Sequence, residues 1–319
     1  VAEEPHMKVV FMGTPSAAVP CLKRLVDDGH EVLAVYCQPD RPSGRGQKLT
    51  APPVKIAAQE LALEVRQPEK IKTPEAAREF RSLGADLAVV VAYGRILPTE
   101  FLTAFPNGAI NIHFSLLPKY RGAAPVNWAI INGETETGVC SMRMDAGLDT
   151  GDLLLARRIA IESDENSVGL MQRLSWVGAD VLSETLERLD TIVPKRQDDS
   201  AATYAPMMSK SDGLIDWSAE AEVIRNRVRG FQPFPTSYSF SGGKKITFWN
   251  SEICNDKGRD VEPGTVVEAS GDSLVIACGG GSRLRVTEIQ IEGKKRMPVR
   301  DFLNGKHFVA GDVLGGNPS

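Results

Sequence analysis

Groups able to do chemistry are sparse in this chain. Histidine occurs at only four positions, 6, 30, 113 and 307. His6 sits in a polar leader ahead of Met7, His30 follows a glycine placed to stop a helix, and His307 lies among the last residues. His113 alone closes an apolar run, AINIH at 109–113, that reads as a buried strand. Parallel-sheet folds keep their ligand crevice outside the carboxyl ends of the strands. Residues two apart in a strand share a face, so Asn111 and His113 point together at a strand tip where catalysis is expected. Downstream, Asp145-Ala-Gly-Leu-Asp-Thr-Gly-Asp152 is a glycine-punctuated acidic loop able to hold a carboxylate near that tip. An imidazole beside a carboxylate is equipped to move protons. The competing description is a core histidine with satisfied hydrogen bonds.

The elements that must position these groups alternate through the first part of the chain. KVVFM at 8–12 is a strand pattern that ends at Gly13-Thr14-Pro15. Val19, Leu22, Leu25 and Val26 then recur at helical spacing up to Gly29. Residues 31–36, 87–92 and 109–113 read as further strands, and Val54, Ala57, Ala58 and Leu61 as a helix behind Pro52-Pro53. Leu170, Leu174, Val177, Val181, Leu182, Leu186 and Leu189 mark a long amphipathic helix. Strands alternating with helices predict an α/β, Rossmann-like, mostly parallel sheet.

From 191 to 213 the periodicity lapses into polar residues, and a linker is expected there. Beyond it the pattern changes: Ser218 is placed to cap a short helix ending at Gly230. Runs at 236–240, 245–249, 265–268, 274–278 and 284–291 then read as short strands between glycine turns, predicting a small barrel or sandwich. The expected organisation is therefore 1–6 as a cloning remnant, 7–190 as a catalytic domain, 191–213 as a linker and 214–319 as a C-terminal domain.

Composition excludes several classes. With 319 residues, 42% hydrophobic and 24% charged, the chain has an ordinary globular make-up rather than that of a disordered, collagenous or coiled-coil protein. No apolar run approaches the roughly 18 residues of a membrane span. The leader lacks the features of a secretory signal or transit peptide. Five cysteines, at 21, 37, 140, 254 and 278, show no C-x-x-C pair, which argues against a disulfide framework or a zinc site and fits a reducing cytoplasm. The net charge of −4 does not announce a nucleic-acid binder, so any such role must rest on local clusters. Gly44-Arg-Gly46 opens no helix and completes no G-x-G-x-x-G, and no G-x-x-x-x-G-K-[ST] occurs, so dinucleotide and nucleoside-triphosphate use are not expected. No metal is expected either.

Several long motifs, in order, carry a resemblance. They are FMGTP at 11–15, QPDRPSGRGQK at 38–48, VVAYGRILP at 90–98, NIHFSLLPKYRGAAP at 111–125 and MDAGLDTGD at 144–152. From Met7 to about residue 310 the chain resembles the folate-dependent formyltransferases. The resemblance implies a Rossmann-like catalytic domain and an OB-like C-terminal β-barrel domain that binds tRNA. It also implies 10-formyltetrahydrofolate as formyl donor and the amine of methionine on initiator tRNA as acceptor, with the chain acting as a monomer.

Residue by residue, the family's catalytic Asn, His and Asp fall on Asn111, His113 and Asp149, the GLDTG pattern selecting Asp149 over Asp145 and Asp152. The folate-facing positions fall on Val91, Ala92, Tyr93 and Gly94, on Ser115, Leu116, Leu117 and Pro118, and on Asp145 and Gly147. Loop 38–48 would meet the tRNA acceptor arm through Arg41, Arg45 and Lys48. In the C-terminal domain Lys210, Arg225 and Arg229 are candidate phosphate contacts. Arg225 and Arg229 share a helix face, although each basic cluster alone reads as surface charge.

These side-chain types suit aminolysis. An α-amine with a pKa of about 7.7–8 is partly free base at neutral pH, so the site needs donors for an oxyanion and a route for a proton more than a strong base. Two alternatives stay open: a formyltransferase or hydrolase acting on a small metabolite such as glycinamide ribonucleotide, and a non-catalytic RNA-binding protein on the same fold.

Overall fold

The computed structural model describes residues 7–43, 46, 48–254, 261–305 and 308–315. His6, Arg45, His307 and the leader 1–6 lie outside the described residues. In chain order the strands are β1 (Lys8–Gly13), β2 (Glu31–Tyr36), β3 (Arg41–Ser43), β4 (Lys48–Thr50), β5 (Val65–Arg66), β6 (Leu87–Val91), β7 (Ala109–His113), β8 (Arg121–Gly122), β9 (Glu136–Arg143), β10 (Leu153–Ala160), β11 (Tyr204–Ala205), β12 (Ser237–Ser241), β13 (Lys244–Ile253), β14 (Val266–Ser270), β15 (Ser273–Ala277), β16 (Arg283–Ile291) and β17 (Met297–Pro298). The α-helices are α1 (Val19–Asp27), α2 (Pro53–Glu60), α3 (Pro74–Ser82), α4 (Thr99–Leu102), α5 (Pro125–Ile131), α6 (Ser167–Glu187), α7 (Ala221–Gly230) and α8 (Val299–Asn304). No described helix is long and apolar enough to cross a membrane.

The chain forms two compact units. The first comprises Val1–Pro125, Glu136–Ala160 and Met171–Ala205, and the second comprises Val126–Thr135, Ile161–Leu170 and Pro206–Ser319. The stretch expected as a linker, 191–213, is thus divided between them. Its first part packs into the first unit: Lys195 pairs with Leu153, and β11 pairs with β8. Main-chain pairing of this kind needs no apolar periodicity, and for that reason it leaves no pattern to read.

The first unit is built on a sheet of order β10-β9-β7-β6-β1-β2-β5, parallel except for β9, which runs antiparallel to both of its neighbours. Every residue of β6 and β7 is buried, as expected where both faces of a sheet are covered. The strand order reverses between β1 and β6, the switch point that leaves a crevice at the strand ends. Close approach there demands Gly13, because a Cβ would stand 2.8 Å from the Phe11 ring and 3.0 Å from Val91 O. One core cluster gathers Val10, Met12, Tyr36, Val90 and Tyr93 with Phe101, which stacks on Phe80 at 4.1 Å. Across the sheet, the α6 backbone comes close at Gly178, where a Cβ would meet Ile112 at 3.1 Å and Phe114 at 3.3 Å.

The second unit holds an antiparallel sheet of order β12-β13-β16-β15-β14. Its last described segment closes it: Val266 N–H donates to Asp312 O, Leu314 N–H to Gly264 O and Gly315 N–H to Phe240 O. The strip 312–315 therefore joins β14 to β12, and the result is a small barrel of the kind expected. Phe248, Leu274, Ile276, Leu284, Val286 and Ile289 fill its interior. Ser218 does not cap α7. The helix begins at Ala221 with Glu220 at the N-cap, the Ser218 hydroxyl donates to Asp216, and the Ala221 N–H is accepted by Ser282 Oγ at 2.9 Å. A distant hydroxyl supplies the acceptor that the local one was expected to give.

Candidate active site

β7 sets the first two groups. It pairs with β6 and β9 in a register that places Asn111 opposite Met142 and His113 opposite Cys140. Both side chains project from the same face and are buried. Among the described residues nothing hydrogen-bonds the Asn111 carboxamide. His113 Nε2 lies 2.9 Å from Tyr120 O. A carbonyl can only accept, so Nε2 carries a proton. The other ring nitrogen, Nδ1, faces Asp149 Oδ2 at 3.7 Å, beyond hydrogen-bond reach.

The turn after β7 shapes the rest of the pocket wall. Ser115 Oγ donates to Lys119 O at 2.6 Å, Leu117-Pro118 is cis, and Tyr120 adopts φ 62°. The Tyr120 N–H is accepted by Thr203 Oγ1 at 2.9 Å, which aims the Tyr120 carbonyl at His113.

Asp149 arrives from a loop rather than a strand. Its φ is 54°, in the left-handed region that is uncommon for non-glycine residues and that aspartate enters more readily than most. Its Oδ2 accepts the Gly122 N–H at 2.8 Å. Asp145, the rival acid, is turned inward on its own loop, accepting from Gly147 N–H at 3.0 Å and Thr150 Oγ1 at 2.7 Å. Asp152 is exposed. Of the three carboxylates, Asp149 is the one that reaches His113. Gly151 permits the fold-back, since a Cβ there would stand 1.7 Å from Arg143 O. Cys140, on the same face as His113, supplies no nucleophile: burial pushes its thiol up to about 11, so the thiolate is scarce at neutral pH.

Two residues of this site escaped the sequence reading. Arg121 and Gln197 are both buried. Gln197 Nε2 donates to Asp149 O and Gly151 O, and Gln197 Oε1 accepts from Arg121. Nothing in a polar stretch between Arg196 and Asp198 signals a buried amide, because its partners lie far away in sequence.

The remaining candidates sort by accessibility. Val91 is fully buried, and the Tyr93 ring lies in the core with a hydroxyl that finds no partner among the described residues; burial pushes its phenol up to about 12. Ala92 and Gly94 are exposed, with φ of 48° and 85°, whereas the Tyr93 carbonyl accepts from Thr14 Oγ1 and Gln38 Nε2. Ser115 and Leu117 are buried and Leu116 and Pro118 half-buried; Leu117 packs on Cys140 and Met142. Gly147 is exposed on the Asp149 loop.

The basic candidates divide. Arg41 and Lys48 are exposed on the paired strands β3 and β4, and Lys210 is exposed as well. Arg225 instead donates to Ser163 O. Arg229 donates to Asn226 Oδ1, Glu162 O and Glu165 O. The shared face of these two arginines holds the backbone of 162–165. Among the described residues no group of His, Cys, Asp or Glu is arranged to hold a metal ion.

Comparison with known proteins gives a consistent result. Residues 7–186 match the family described as formyl transferase, and residues 207–307 match the one described as formyl transferase, C-terminal domain. The methionyl-tRNA formyltransferase of Geobacter metallireducens is 49% identical over 311 residues, covering 97% of this chain and 99% of that protein. Its counterpart from Citrifermentans bemidjiense is 50% identical, covering 97% and 96%. Among solved structures, an N-formyltransferase from Helicobacter canadensis in complex with folinic acid and dTDP-3-aminofucose superposes with a TM-score of 0.67 over 88% of this chain and 98% of that one. At 20% identity that likeness establishes the fold alone.

Proposed function

Because this chain belongs to the formyltransferase family, we propose that it moves a formyl group from 10-formyltetrahydrofolate to the α-amine of methionine on initiator tRNA. One observation carries the chemistry: a carboxamide without a partner among the described residues, an imidazole and a carboxylate meet at the face of β7. The acceptor follows from near-half identity, along almost the whole chain, to proteins named methionyl-tRNA formyltransferase.

The donor supplies an activated formyl carbon and leaves as tetrahydrofolate. The Asn111 carboxamide fits the place of an oxyanion donor, since its N–H bonds are not committed within the described protein. His113 takes a narrower role than donor to the oxyanion, because its Nε2–H is committed to Tyr120 O. Its Nδ1 lone pair receives the proton of the newly attached amine. Asp149 faces that nitrogen at 3.7 Å and offsets the charge that the ring gains. From there the proton passes to the folate nitrogen as the formyl bond breaks. Exposed Ala92 and Gly94 and the Asp145–Asp149 loop would flank the pterin. Exposed Arg41, Lys48 and Lys210 would meet phosphates, and Arg45 belongs with them by sequence. Arg225 and Arg229 would have to release the 162–165 backbone to do so.

The test is direct. Protein, formyl donor and Met-tRNA should give formyl-methionyl-tRNA, with turnover at limiting tRNA falling steeply as salt rises. Formylation of a free metabolite amine alone would overturn the acceptor, and no formylation of any amine would leave an RNA-binding protein on this fold.

A further inference from the structure

We propose that Gln197 is a positioning residue for formyl transfer, holding the main chain of Asp149 so that its carboxylate faces His113. The inference rests on the reading of Asp149 as part of the reacting cluster. Gln197 is buried, and both ends of its amide are engaged. Nε2 donates to Asp149 O at 2.9 Å and to Gly151 O at 2.7 Å. Oε1 accepts from Arg121 Nε at 3.2 Å and from its terminal nitrogen at 2.9 Å. Carbonyls cannot donate and a guanidinium cannot accept, so the partners leave the amide one orientation.

The network closes on itself. Arg121 precedes Gly122, whose N–H holds Asp149 Oδ2 at 2.8 Å. Asp149 is thus held at its carbonyl by Gln197 and at its carboxylate by Gly122, and the arginine that anchors the first sits beside the glycine that makes the second. Asp199 Oδ1 accepts from the same terminal nitrogen of Arg121 at 2.8 Å. The residue enclosed by this network keeps φ 54° without being glycine, a left-handed conformation that aspartate tolerates better than most side chains and that the bonds at its carbonyl and carboxylate hold in place. A side chain that merely filled space would have no reason to satisfy both the carbonyl of the acid and that of Gly151 two residues on.

Steady-state kinetics of the full chain with 10-formyltetrahydrofolate and Met-tRNA test this, using Gln197→Ala, Asp149→Asn and the double variant. Small misplacements of a reacting group lower rates by up to about 100-fold, so Gln197→Ala should lower kcat by roughly 10- to 100-fold with little change in the donor KM. Combined with Asp149→Asn it should add almost nothing, because both changes act through one carboxylate. Losses that multiply in the double variant, or an unchanged kcat for Gln197→Ala beside a crippled Asp149→Asn, overturn the inference and leave the site reading standing. A fully active Asp149→Asn overturns the site reading and the inference with it. If melting curves show Gln197→Ala unfolded, Gln197→Glu carries the same expectations, since it keeps the acceptor toward Arg121 and removes the amide N–H donors.

Discussion

The two halves of the candidate site are held by different means. Asn111 and His113 stand on a strand buried along its whole length and flanked by β6 and β9. Their placement is shared among many equivalent main-chain bonds. Asp149 stands on a loop, in a left-handed conformation, fixed by the Gly122 N–H and the Gln197 amide. A strand-borne group should therefore be replaceable without harm to the fold, whereas the loop-borne group should be sensitive to changes some distance away.

The largest effect expected on this view is for Asn111→Ala. Loss of one oxyanion donor lowers turnover by on the order of 100- to 1000-fold. Because the carboxamide has no partner among the described residues, the melting temperature should not fall. A large drop in stability accompanying the lost turnover would show that the strand-borne half is also held by its functional side chains.

Gly122→Ala probes the other half. The residue has φ 117°, and a Cβ would stand 2.8 Å from Ala205 O, so the β8–β11 contact must open and the N–H that holds Asp149 must move. We expect kcat to fall by about 100-fold together with about 1–3 kcal/mol of stability for strain at such a position, read by kinetics and urea unfolding. Activity and stability should fall together here and separately at Asn111. If they separate at Gly122, the contrast between the halves is lost.

The same contrast marks how far the sequence could be read. The β7 pair was legible because a buried strand announces itself in composition and period 2 fixes which residues share a face. The barrel strands were legible for a similar reason. Gln197 and Arg121 were not, because a buried amide bonded to distant carbonyls leaves no periodic trace. The basic residues show the limit from the other side: Arg41 and Arg229 look alike in sequence, yet one is exposed and the other donates to three oxygens. Ser218 was misread as a cap because the competing acceptor, Ser282 Oγ, lies 61 residues beyond Ala221.

Asp145→Ala should have a smaller effect than Gly122→Ala. Its carboxylate ties Gly147 N–H and Thr150 Oγ1, but the tie is exposed and water can replace it. Charge-assisted bonds of this kind are worth about 1.5–3 kcal/mol when buried, and less in water. A loss in kcat/KM for the donor of about tenfold or less, without a change in melting temperature, is expected. A loss equal to that of Asp149→Asn would make Asp145 a reacting group and shift the site within the loop.

Thr203→Val asks whether the strand-borne half is wholly independent of loops. His113 rests on β7, yet its Nε2–H meets Tyr120 O, and Tyr120 is itself oriented by Thr203 Oγ1 at 2.9 Å. Valine keeps the shape of threonine and removes the acceptor for the Tyr120 N–H. A neutral hydrogen bond contributes about 0.5–1.5 kcal/mol net, so the carbonyl would be loosened and not released. We expect kcat to fall by about two- to fivefold and stability by about 1 kcal/mol. No change in kcat would mean that β7 alone sets the imidazole, and the division between strand-held and loop-held groups would then be complete. A loss as large as that of Gly122→Ala would mean that His113, like Asp149, depends on a contact more than 80 residues away in sequence, and the two halves would differ only in how plainly the sequence declares them.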